Sequence, residues 1–132
     1  MISLALALAL FAQAQDPWRE YNCDDPQNQA EMNRCAGLRF ERADAELNRV
    51  YREAVRQEQA ADREETGYGD MHPTYEEALR AAQRAWVAFR DAQCEYESFE
   101  ARGGSMQPML YEGCRARMTQ ERTRELSADP AN

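Results

Sequence analysis

Beginning at Met32, apolar residues return every three or four positions, through Ala36, Phe40, Ala43, Leu47, Val50 and Val55, with Tyr51 and Ala54 widening the stripe. This is the period of a helix that keeps one face in a core. Its start is signalled in CDDPQNQAEMNRCA, where Asp25 can cap and Pro26 suits the first helical position. The continuation RQEQAADREETGYGD holds no large apolar residue before Tyr68. A helix there protrudes past the core or frays, and Gly67 and Gly69 end it.

A second periodic segment opens at HPTYEEAL, where Thr74 and Glu77 have the T-x-x-E spacing of a capping box. It runs to about Ala101 and stops at Gly103-Gly104. On its face lie Leu79, Ala82 or Gln83, Trp86, Phe89 or Arg90, and Cys94, which makes Trp86 a core residue by spacing. The third helix starts near SMQPMLYEGC, with Ser105 as its cap and Pro108 in the permissive first turn. Leu110 or Tyr111, Cys114, Met118, Arg122 and Leu126 form its stripe, and Asp129-Pro130 closes it. No segment alternates with the period of a strand. The expectation is an all-α, disulfide-stabilised bundle of about three helices, the first and second long and antiparallel.

The first residues differ from the rest. Residues 1–14, MISLALALALFAQA, combine a short apolar run with Ala12-Gln13-Ala14, the small-x-small pattern behind which signal peptidase cuts. No Lys or Arg precedes the run. We expect a signal peptide over 1–14 and a single helical domain over 15–132, periplasmic or secreted. The run is shorter than the roughly 20 apolar residues of a bilayer span, so no permanent membrane anchor is expected.

Export changes the meaning of Cys23, Cys35, Cys94 and Cys114, because an even count in an oxidising compartment reads as a disulfide framework. Four cysteines allow three pairings. Cys23 with Cys35 and Cys94 with Cys114 are preferred, since each pair is near in sequence and brackets a turn. Each closed loop contributes roughly 3 kcal/mol in the chain-entropy description. A zinc site is disfavoured by the wide cysteine spacings and by His72 being the only histidine. No metal or cofactor is expected.

The sequence carries 24 acidic and 16 basic residues, all of the latter arginine, for a net charge of -8. An acidic domain lacks the basic face that phosphate contacts require, so nucleic acid is not an expected partner. A cationic protein is a better match. Enzymatic activity is not expected: there is one histidine, no Gly-rich phosphate loop and no nucleophile elbow. Carboxylate pairs can be drawn almost at will from so many acidic residues, so they carry no information.

Arg90 falls at the edge of the buried stripe, where a guanidinium needs an anionic partner. The facing helix offers Asp44, on the stripe of Phe40, Leu47, Asn48 and Tyr51. An Arg90 to Asp44 pair with a structural role is therefore expected. In the connections, His72 reads as a solvated loop residue. Tyr68, flanked by glycines, and Ser105 with Met106 beside Gly103-Gly104 are the positions most able to meet a partner.

The patterns C...MNRCA...F.RAD.ELNRVY (Cys23 to Tyr51), AQRAWVAFRDAQC (Ala82 to Cys94) and GGSMQPMLYEGC....T.ER...L (Gly103 to Leu126) together resemble the LprI lysozyme-inhibitor-like family. The resemblance covers about Cys23 to Leu126. It implies a secreted or envelope bacterial protein, helical and disulfide-bonded, with inhibition of lysozyme as the naming activity. The residues that carry it are the four cysteines, Asp44, Leu47, Tyr51, Gln83, Trp86, Arg90, Gly103, Gly104, Ser105, Tyr111 and Arg122. Two features depart from it. Glu20-Tyr21-Asn22 before Cys23 is not a lipobox, which argues against acylation, and EETGYGDMHP makes the first connection unusual. The expected function is binding of a cationic glycan hydrolase of the lysozyme type. An envelope structural or accessory protein without inhibitory activity is the alternative.

Overall fold

The structure, a computed structural model, describes residues 16–65 and 70–127. The expected leader over 1–14, Tyr68 with Gly67 and Gly69, and Asp129-Pro130 lie outside the described residues. Four α-helices are present among the described residues: α1 (Pro17–Glu20), α2 (Gln29–Glu64), α3 (Tyr75–Ser98) and α4 (Gln107–Ser127), with a 3-10 turn over Phe99–Ala101 extending α3. No strand occurs among them.

α2 has 36 residues, a rod of about 54 Å at 1.5 Å per residue. α3 runs antiparallel to it, as the contacts Asp62 to Tyr75 and Asp44 to Arg90 require. α4 runs antiparallel to α3, which sets it parallel to α2: Asn33 meets Ser105 while Phe40 meets Arg115 further along. The most extensive packing joins α2 and α4, although α2 and α3 are the sequential neighbours.

Helix starts are set by local chemistry, and two differ from the sequence expectation. α2 begins after Asn28 and not at Asp25-Pro26. The Asn28 side chain accepts from the Glu31 amide at 2.9 Å, and Glu31 Oε2 accepts from the Gln27 amide at 2.7 Å. This reciprocal arrangement satisfies donors that Asp25 would have left open. α3 starts with the full capping box of Thr74 and Glu77. Its first two amides, of Tyr75 and Glu76, donate to the two carboxylate oxygens of Asp62 at 2.8 and 3.1 Å. The polar continuation of α2 is thus tied to the start of α3. α4 begins at Gln107, so Met106 and not Ser105 flanks it, the Met106 carbonyl accepting from Leu110.

The core is built from small side chains. Ala36, Leu38, Ala43, Leu47, Val50, Ala54 and Val55 line α2, with Cys94 from α3 and Cys114 and Ala116 from α4. Leu47 is the largest fully buried side chain. On α3 the buried choice falls on Gln83 and Arg90, while Ala82 and Phe89 face solvent. Trp86 is half-buried and not enclosed, because it packs its faces against arginines of the bundle. Cys23 bonds Cys35 and Cys94 bonds Cys114, each with Cα atoms 5.4 Å apart. Both bridges fall in the half of the bundle that holds the start of α2.

α1 is an addition to the three expected helices. Asp16 caps it by accepting from the Trp18 amide at 3.0 Å, with Pro17 in the first position. Trp18 and Tyr21 pack on the cluster of Cys23, Cys35 and Leu38, and the Arg42 guanidinium lies 4.3 Å from the Trp18 ring centroid. The first bridge therefore anchors a small aromatic lid on the end of α2.

Candidate functional site

Arg90 is where sequence reasoning located the main tension, and the structure surrounds it with partners. Its side chain is 5% exposed. Nε donates to Asp91 Oδ1 at 2.9 Å, and Nη1 donates to the Thr119 hydroxyl at 3.3 Å and lies 3.6 Å from Asp44 Oδ1. The link to Asp44 spans α2 and α3, but it is the longest of these contacts, and the Asp44 side chain is 39% exposed. The adjacent Asp91 is the nearer anion, and it also binds Arg115 of α4 at 3.2 Å.

These groups belong to an alternating ladder of arginines and rings. Arg115 lies over Tyr111 at 5.1 Å and over Phe40 at 3.7 Å. Arg90 lies over Phe40 at 5.0 Å and Trp86 at 5.2 Å, and Arg122 over Trp86 at 5.9 Å. Arg122 also donates from Nε to the Gln83 side-chain oxygen at 3.0 Å. The aromatic faces supply negative potential to guanidiniums withdrawn from water, so the interior tolerates cations that its small apolar core could not. Among the described residues every buried side-chain nitrogen and oxygen has a hydrogen-bond partner. The ladder ties the three long helices together through buried and half-buried guanidiniums.

The turn before α4 is the described segment that combines exposure with rigidity. Gly103 has φ +78°, a conformation that a side chain would strain, and a Cβ on Gly104 would approach the Ala101 carbonyl oxygen to 3.2 Å. The Gly103 amide donates to Gln107 Oε1 at 2.9 Å, Gln107 Nε2 donates to Ser98 Oγ at 3.2 Å, and Asn33 Nδ2 donates to the Ser105 carbonyl at 2.9 Å. Ser105 and Met106 are held in place yet expose their side chains. Beside them a cleft of 780 Å³ between α3 and α4 is lined by Asp91, Glu95, Ser98, Gly103, Gln107 and Tyr111. Of its carboxylates, Asp91 is paired with Arg90 and Arg115, and Glu95 is exposed.

The other exposed connection carries His72, whose Nδ1 lies 2.9 Å from Glu77 Oε2. That hydrogen bond and the glutamate charge raise the histidine above its usual proton affinity. The same bond to His72, with the Thr74 amide, holds the Glu77 carboxyl below the usual range. At Asp62 desolvation pushes the carboxyl up, but the donors from Glu76, Tyr75 and Thr74 outweigh it and the net shift is down. These groups fasten the start of α3. Among the described residues no cluster of His, Cys, Asp and Glu could hold a metal ion. No described helix is long and apolar enough to cross a membrane.

Of the residues singled out from sequence, the structure brings Asp44 and Arg90 together, joins the cysteines as two bridges, and places Ser105 and Met106 on one turn. It leaves that turn apart from the Arg90 ladder in role: one is exposed and rigid, the other is interior packing. Sequence reasoning did not find Asp62, Asp91, Arg115 or Thr119.

A family model described as "Lysozyme inhibitor LprI" matches residues 22–126. The chain is 48% identical over 128 residues to "Uncharacterized protein R02472" of Rhizobium meliloti (strain 1021), covering 95% of this chain and 88% of that protein. It is 33% identical over 81 residues to "Uncharacterized protein YecT" of Escherichia coli (strain K12), covering 61% of this chain and 48% of that protein. No solved structure matches.

Proposed function

Because the chain belongs to the LprI lysozyme-inhibitor family, we propose that it is an exported bacterial binding protein that engages a cationic glycan hydrolase of the lysozyme type and slows it. Family membership over residues 22–126 is the observation that carries this reading. The net charge of -8 supports it, since opposite charge speeds encounter with a basic enzyme. Two disulfides suit an oxidising compartment, and the mature protein acts there without catalysis of its own. The contact surface in this proposal is the pinned turn: Ser105 and Met106 at its tip, with the exposed Glu95 receiving a basic side chain of the enzyme. A turn fixed before binding loses little entropy on docking. Tyr68, in the other connection, is a further contact in the same proposal.

The test is a titration of the oxidised protein against a cationic lysozyme acting on cell walls, at low and at physiological salt. Inhibition that weakens as salt rises is expected, because screening shortens the reach of surface charge to about 8 Å at physiological ionic strength. E95R and M106D should weaken binding while leaving the helical content unchanged. Absence of binding and inhibition at low salt would overturn the proposal in favour of an envelope accessory role.

A further inference from the structure

The outer face of α3 carries exposed apolar residues, and at its two ends Tyr75 is bonded to Glu65 and Phe99 lies under the Arg102 guanidinium. From Tyr75 to Phe99, steps of three and four residues alternate without interruption, and every position so reached is apolar and exposed. Phe89 is 58% and Tyr96 71% exposed. Alternating steps of three and four are the seam of a helix pair, not the wider stripe by which a helix meets a core. The core-facing residues Gln83, Arg90 and Cys94 lie on the opposite side. Gln83 and Arg90 of α3 thus serve the interior, while the outer seam is apolar.

We propose that this seam is a homodimer interface in which α3 of one copy packs antiparallel on α3 of a second. The order of side-chain sizes along the seam selects this occupant. An antiparallel two-fold at the middle of the seam sets Ala78 against Tyr96, Ala85 against Phe89 and Ala82 against Ala92, with Tyr75 meeting Phe99 at each end. Large rings face alanines in two of the layers, and alanine faces alanine where the helices approach most closely. The Tyr75 hydroxyl remains held by Glu65, so its ring is presented in a fixed position. With its four rings 40–71% exposed, the seam offers on the order of 500 Å² per copy, less than the roughly 800 Å² of a standard interface, which suits a reversible dimer. It is uncharged from Ala78 to Ala92, so a partner recruited through charge has nothing to recognise there, whereas a second seam does. The inference is independent of the lysozyme reading.

Sedimentation equilibrium on the oxidised protein, from micromolar to sub-millimolar, should show a monomer–dimer equilibrium. F89E and A85E should each raise the dimer Kd about tenfold or more, since each buries a charge in the seam, while circular dichroism stays that of the parent. Single-cysteine variants A82C and A92C, with both native bridges checked by peptide mapping, should cross-link when mixed and not when either is alone. A protein that stays monomeric throughout, a dimer that survives both charge variants, or cross-linking of A82C with itself would each overturn the proposal.

Discussion

The Arg115 guanidinium stands 3.7 Å from the centroid of the Phe40 ring, joining α4 to α2 near the middle of the interface that dominates the fold. Phe40 receives Arg90 as well, at 5.0 Å, so one ring holds cations from both other long helices. Replacing Phe40 by leucine keeps much of the apolar volume and removes the ring face. F40L should therefore lower unfolding stability by about 1–2 kcal/mol, measured by urea denaturation. A neutral result would show that volume alone matters there.

Arg90 and Asp44 should not be equivalent on removal. R90A leaves Asp91 and Asp44 with access to water but takes away a buried guanidinium, its hydrogen bond to Thr119 and its packing on Phe40 and Trp86, so a loss of about 3 kcal/mol is expected. D44A removes the longest contact of a half-exposed carboxylate and should cost about 1 kcal/mol or less. Equal losses in a double-mutant cycle with full coupling would reverse this ranking and make Asp44 the principal counter-ion.

The two bridges should differ in what they hold. Their sequence separations are 12 and 20, and each closure contributes roughly 3 kcal/mol in the chain-entropy description. C23S/C35S should release the segment around α1, seen as lost amide protection confined to residues 18–25, while the three long helices still unfold together. C94S/C114S should lower the global midpoint, because that bridge lies between α3 and α4 inside the core.

The start of α3 should hold best in a bounded pH window. His72 is raised, so its contribution is present below its ordinary value of 6.5 and is lost as pH rises through its higher folded value. Glu77 and Asp62 are lowered, so theirs is present above the ordinary 4.5 and 3.8 and is lost as pH falls through the lower folded values. Attachment is thus complete between about pH 4.5 and 6.5. In E77Q the His72 titration followed by NMR should move down toward the ordinary value; an unchanged midpoint would remove the pairing.

How far the sequence could be read depended on distance along the chain. The Thr74 and Glu77 box was legible because both halves of it lie within one turn. Asp62 was not, since its ligands, the Tyr75 and Glu76 amides, meet it only after α2 and α3 fold back on each other. At the start of α2 the sequence reading took Asp25-Pro26, and it overlooked Asn28, which Glu31 three residues beyond it makes the cap. α1 had its own signal in Asp16-Pro17, hidden by its brevity. Arg115 left no mark in the periodicity of α4, because a guanidinium stacked on rings is interior in fact and polar in the pattern.

Both cysteine bridges lie in one half of the bundle, and the far half, where Asp62 and Thr74 meet the start of α3, is closed among the described residues by hydrogen bonds and the packing of Val50, Ala54 and Val55, with no covalent link. The rod is stitched at one end and buttoned at the other. Thermal motion will part the buttons first, so slow amide exchange should grade along α2, fastest near Glu64 and slowest near Leu38. A protease that samples open forms would enter by the same end, nicking the α2–α3 connection while the turn at Ser105 and Met106 stays intact.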